Sequence, residues 1–219
     1  MSVKKEIAGL WRRYCEAFGL PGFKVSALAA LAYFAAALVL NFWAIKQATT
    51  RAGEGVSDIL LSNIPVFEVD QFFVYGTFIV AAVSAGLILW NPKRIPFAFK
   101  TVALFILIRS LFTLMTHLGP PEAHYVTEFG DAIANSFFGA DQFFSAHTGM
   151  PFLGFLGFFS IDRRVRAFFL ASSLYFAAVV LLGHIHYTID VASAFFITYG
   201  IFHIAQWLMP RDWALFKSA

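Results

Sequence analysis

Six apolar runs, each near the ~20 residues that cross a bilayer as a helix, leave this chain little choice of fold. They cover about 24–46, 71–90, 95–118, 144–161, 167–184 and 186–208, the fourth being the shortest. In hydrocarbon each backbone N–H and C=O needs a protein partner, so runs of this kind become helices. The composition agrees. Of 219 residues, 59% are hydrophobic and 13% charged, where a soluble domain carries roughly 25% charged residues. The expectation is an all-α, polytopic membrane protein with six transmembrane helices forming one domain over 24–208.

The flanking and connecting segments read differently. In residues 1–23, Ile7, Leu10, Trp11, Tyr14 and Phe18 recur at helical spacing among Lys4, Lys5, Arg12 and Arg13. That pattern predicts an amphipathic interfacial helix over 3–18, stopped by Gly19, Pro21 and Gly22. The polar stretch 47–70 contains an apolar patch at Ile59–Val66. The 119–142 loop contains another at Ala132–Phe138, expected to fold back onto the membrane. Residues 209–219 read as a cytoplasmic tail. The first apolar run is long enough to stay in the membrane, so no cleaved signal peptide is expected. The sole cysteine, Cys15, precludes an internal disulfide and a cysteine-based metal set.

Charge sets the orientation. Of the 16 Lys and Arg, thirteen fall on one side of a six-span arrangement. They lie before span one, between spans two and three, between four and five, and after six. Only Lys46 and Arg51 fall opposite, with Arg109 inside span three. By the positive-inside rule both termini are cytoplasmic. The acidic residues Glu54, Asp58, Glu68, Asp70, Glu122, Glu128, Asp131 and Asp141 gather on the other side, where a solvated acidic face is expected. The net charge of +3 implies no nucleic-acid partner; the bilayer is the expected one.

Two motifs carry ionisable groups to that second side. Gly183–Asp190 reads G-H-I-H-Y-T-I-D at the head of span six, and S-A-H-T-G begins at Ser145 at the head of span four. His186 and Asp190 are four apart and share a helix face. Ser145 is placed to cap its helix, with His147 in the first turn. Both helices would aim free N–H groups and the positive ends of their dipoles at one place, which suits a phosphate. Two imidazoles and a carboxylate match phosphoryl transfer by covalent catalysis. His184 would face away on a continuous helix, unless a break at Gly183 redirects it. Arg109, about 14 Å deep, needs a polar cavity or a carboxylate. A phosphate, Asp190 and Asp141 are the alternatives. Tyr187 and Thr188 are head-group ligands or interfacial fillers. His117, His124 and His203 are read as structural.

The residues F-F-S-A-H-T-G at 143–149 and H-Y-T-I-D at 186–190 resemble the paired motifs of the sphingomyelin synthase-like branch of the PAP2 lipid phosphatase/phosphotransferase superfamily. Gly139-Ala140-Asp141 and R-S-L-F at 109–112 are similar to further elements of that branch. The resemblance covers about 105–205. It implies a PAP2-like helical bundle acting without metal or cofactor on the exoplasmic side. His186 would be the nucleophile, Asp190 its partner and His147 the acid/base group. Arg109, Asp141, Ser145, Thr148, His184 and Tyr187 would be candidates for binding substrate. The chain departs from the pattern in having Ala146 where the family has glycine. It also lacks the superfamily's Lys-x6-Arg-Pro element and the arginine six residues before the second His, where Val180 stands. Fewer cations suit a phosphodiester better than a dianionic monoester. The expected reaction moves a phosphate-containing head group from a phospholipid donor to a lipid acceptor such as ceramide or diacylglycerol. Three alternatives remain: a lipid phosphatase or diphosphatase, a proton-coupled transporter, and a zinc enzyme using His147, His184, His186 and Asp190. The oligomeric state is left open.

Overall fold

The computed structural model of the protein describes residues 3–121 and 142–219. These residues form eight α-helices, α1 (Val3–Gly19), α2 (Phe23–Arg51), α3 (Asp70–Trp90), α4 (Ile95–Met115), α5 (Ala146–Gly157), α6 (Arg163–Leu182), α7 (Thr188–Leu208) and α8 (Pro210–Lys217). Two 3-10 turns, Leu61–Asn63 and Pro92–Arg94, complete the regular structure, and no strand occurs among the described residues. The helical membrane protein expected from the apolar runs is what the chain forms. The patch at Ala132–Phe138 lies outside the described residues.

Five helices are long and apolar enough to cross a membrane: α2, α3, α4 with its 3-10 lead-in, α6 and α7. The fourth expected span is different. With twelve residues, α5 is about 18 Å long, against about 30 Å of hydrocarbon. It is held by protein neighbours, packing chiefly on α6 and α7. Glycine makes this possible. A Cβ on Gly154 would stand 2.6 Å from the Phe169 ring, and one on Gly149 would stand 2.8 Å from Thr198 Oγ1.

The longest helix, α2, packs mainly on α4. Its buried residues Phe23, Ala30, Ala37 and Ala44 recur every seventh position, each 1% exposed or less. Lipid supplies no hydrophobic force between helices, so methyl-sized residues that let backbones approach are the means of association. The main core joins Phe97, Phe105, Phe144, Phe169, Phe202 and Phe216 from four helices and the start of the S-A-H-T segment.

At one end of the bundle the basic residues are tied to helix ends. Arg13 Nη1 donates to Trp90 O at 3.0 Å, and Tyr14 Oη donates to Leu89 O at 3.1 Å. Lys100 Nζ meets Asp212 Oδ2 at 2.7 Å, while Ser26 Oγ donates to Asp212 Oδ1 at 2.7 Å. The expected tail over 209–219 is therefore a correction. Its residues form α8, latched to α2 and α4, with Phe216 buried against Phe97 and Phe158. The acidic face needs correcting as well, because Asp58 and Asp70 are not simply solvated. Asp70 is 6% exposed and Asp58 is bonded as described below. The opposite end carries the histidine motifs.

One helix stands apart. Within α3 only Asp70 and Phe73, in the first turn, are buried. Below them α3 separates from α4 and α5, leaving a cavity whose top is His147.

Candidate active site

The bend between α6 and α7 builds half of the site. Ile185 N donates to Val180 O at 2.8 Å and His184 N to Leu181 O at 3.1 Å. These are the two bonds of a Schellman cap, with Ile185 packed against the cluster that includes Val180. The cap needs one left-handed residue, and here it is His184, at φ 50°. Glycine is the usual occupant, and a glycine stands one position earlier. Gly183 serves another purpose: its Cβ would meet Val69 Cγ2 at 2.4 Å. Of the two courses the sequence left open for His184, the chain takes the break at Gly183: it bends there, and α7 begins at Thr188. His184 is 3% exposed, and its Nε2 has no hydrogen-bond partner among the described residues.

His186 and Asp190 nevertheless meet. His186 Nδ1 lies 3.4 Å from Asp190 Oδ2, and both side chains are buried. The same oxygen accepts Tyr187 N–H at 3.1 Å, which caps the start of α7. The carboxylate favours a proton on Nδ1, leaving His186 Nε2 as the ring's lone-pair nitrogen. Asp190 Oδ1 has no partner among the described residues.

The S-A-H-T segment supplies the other half. Ser145 caps α5, accepting Thr148 N–H at 3.4 Å. Ser145 N donates to Asp190 O at 3.2 Å, so the two motifs are stitched together by backbone. Ser173 Oγ donates to Thr148 O at 2.8 Å. Thr148 is fully buried, its Oγ1 without a partner among the described residues. His147 packs against the Phe73 ring, centroids 4.3 Å apart. Arg109, 6% exposed, donates from Nε to Phe144 O at 2.8 Å and so holds the carbonyl just before Ser145. Asp190 pairs with His186, not with Arg109. Asp141 lies outside the described residues, and so does any pairing with it.

A strap over 52–69 crosses the top of the site. Asp58 accepts Thr188 N–H at 2.8 Å and the Thr188 hydroxyl at 2.6 Å, as well as the Leu60 and Leu61 N–H groups. Burial raises the Asp58 pKa, but the Thr188 hydroxyl and the three N–H donors outweigh it and hold the carboxyl below its ordinary value. Tyr187, 1% exposed, donates its hydroxyl to Gly119 O at 2.9 Å and accepts Val56 N–H at 3.1 Å. This corrects the expectation that α7 aims free N–H groups at a phosphate. The Tyr187 and Thr188 N–H groups at its start already serve the chain's own carboxylates, Asp190 and Asp58. Asp58 is the residue that sequence reasoning missed. The S-D-I-L-L pattern marks a local Asx turn, but nothing local reveals Thr188, 130 positions away.

Buried polar atoms without partners are rare in folded proteins and mark bound water or ligand. Three of them here, on Thr148, His184 and Asp190, belong to the two motifs. Among the described residues no three His, Cys, Asp or Glu side chains form a metal-holding cluster. His203 is exposed on α7, far down the helix from the site. Comparison of the chain with protein-family models, with curated proteins and with solved structures found no match.

Proposed function

We propose that the chain is a membrane phosphotransferase that moves a phosphate-containing head group from a phospholipid to a lipid alcohol. The observation that carries this reading is the buried His186–Asp190 pair, joined by the Ser145–Asp190 backbone bond to the segment that carries His147. In the first half-reaction His186 Nε2 attacks the donor phosphorus. A P–N bond forms, the P–O bond to the glycerol oxygen breaks, and that oxygen takes a proton from His147. Asp190 holds the ring and offsets the positive charge that it gains. In the second half-reaction the acceptor hydroxyl gives its proton to His147 as its oxygen attacks phosphorus and the P–N bond breaks. Arg109 and the unpartnered groups of Thr148 and His184 are the nearby donors for the phosphoryl oxygens. The resemblance to the sphingomyelin synthase-like branch of the PAP2 superfamily supports the same roles. The site faces the periplasmic or exoplasmic side in this reading, since the basic residues crowd the opposite end.

The test is reconstitution with a head-group-labelled glycerophospholipid, with and without ceramide or diacylglycerol. Label should enter a new lipid only when the acceptor is present. Rapid release of inorganic phosphate from phosphatidate or a polyprenyl diphosphate, with no capture by any acceptor, would make the protein a phosphatase instead.

A further inference from the structure

The cavity beside α3 extends the histidine site into the bundle. Its volume is about 480 Å³. Along α5 its wall runs from His147 to Gly157, and along α3 from Thr77 to Ile88. Ten residues of α5 correspond to about 15 Å of depth. The wall is almost wholly apolar. Of its three hydroxyls, those of Thr77 and Ser84 are bonded within their own helix, to Phe73 O and Val80 O, and that of Thr101 has no partner among the described residues. The floor is a cluster of rings from four elements, Phe97, Phe158, Phe202 and Phe216, within 5.4–6.2 Å of one another where they pair. A second recess of about 480 Å³ lies on the other flank of α3, against α6, and no histidine lines it.

We propose that this cavity holds one hydrocarbon chain of a bilayer lipid whose phosphate sits at His147 and His186, and that its ring floor limits the length of that chain. The proposal rests on the phosphotransferase reading for the position of the phosphate. Three observations carry it. The cavity lies among membrane-spanning helices, where lipid chains are the surrounding medium. Among the described residues its only titratable wall residue is His147, at the end where the head group would sit. Its open side follows from α3, which touches α4 and α5 little and leaves a lateral way in. A chain moving from bilayer to cavity exchanges one apolar surrounding for another, so discrimination must come from shape, and the closed end supplies it. An all-trans chain advances about 1.25 Å per C–C bond of about 1.5 Å. A depth of about 15 Å then accepts about twelve carbons below the imidazole.

Gly157 is the place to test this. A Cβ there would meet the Phe216 ring only at ordinary contact, 3.7 Å, so a larger side chain can grow from the helix into the cavity. The experiment compares wild type, Gly157→Leu and Ala85→Leu, the last lying on the loosely packed α3 wall. Two quantities are read. One is turnover on donors whose chains step from below to above about twelve carbons. The other is the chain-length profile of lipid retained through purification from mixed-chain vesicles, measured by mass spectrometry. Gly157→Leu should move both optima shorter by about three carbons, the three C–C bonds of a Leu side chain spanning about 3.8 Å. Ala85→Leu should shift them in the same direction. Shifted retention without any head-group transfer would uphold the chain site and defeat the phosphotransferase reading. Transfer with unchanged profiles in both variants would overturn the chain site. Loss of folding in Gly157→Leu leaves Ala85→Leu to decide, and an unchanged profile there also overturns it.

Discussion

The exchange of places between Gly183 and His184 makes a sharp prediction. Truncating His184 to Ala or to Gly removes the same imidazole, so the two variants differ only by a Cβ at φ 50°. A Cβ in the left-handed region costs about 1–2 kcal/mol. Glycine gives back about 0.4–1 kcal/mol through the greater freedom of its unfolded chain. The balance is about 1 kcal/mol in favour of His184→Gly, or about 2–4 °C in melting temperature for a chain of this size. Turnover should fall equally in both, by about 10–100-fold, the worth of one hydrogen bond to a charged group. The assays are thermal unfolding in detergent by intrinsic fluorescence and head-group transfer in vesicles. If His184→Ala is as stable as His184→Gly, the left-handed cap is wrong. If both variants keep wild-type turnover, the unpartnered Nε2 does not face substrate.

Three further outcomes are expected. Replacing His147, His186 or Asp190 by Ala should each lower transfer by about 10²–10⁴-fold while membrane insertion is retained; wild-type transfer by His186→Ala would defeat the mechanism. Asp58 has a folded pKa below its ordinary 3.8, so its contribution to stability is full above that value and lost as pH falls through the lowered one. The melting-temperature gap between wild type and Asp58→Asn should therefore close on acidification, and a gap that persists at the lowest pH would contradict the strap. In a Cys15→Ser background, cysteine at Glu54 should react with an impermeant thiol reagent on intact cells, whereas cysteine at Arg164 should react only after permeabilisation. The reverse pattern would place the histidines on the cytoplasmic side.

The apolar runs located α2, α3, α4, α6 and α7, because hydrophobic length is a local property and hydrocarbon enforces helix wherever it persists. They overstated α5, whose glycines show their purpose only once Phe169 and Thr198 are seen to press against them. In the site, Ser145 was legible as a cap and His186–Asp190 as a pair. The pair survives although His186 precedes the helix, since the Asp190 carboxylate folds back onto Tyr187 N–H, next to His186 in the chain. The Schellman bend was only half legible: Gly183 signalled a break, but its steric role against Val69 needed the fold. Asp58 was read as surface charge because its partner is distant in sequence.

The unequal lengths of α2 and α3 have a consequence for the approach to the site. Both helices have their basic ends near α1, which is chained directly to α2 and bonded to Leu89 and Trp90 of α3. From that common base, twenty-nine residues carry α2 up about 43 Å, and twenty-one carry α3 up about 31 Å. The strap between them must therefore descend about 12 Å, like a pitched roof leaning from a tall wall to a low one. Its slope crosses the histidines, and Thr188 fastens it partway down through Asp58. In the phosphotransferase reading, a lipid would reach the site beneath this eave, through the gap beside α3.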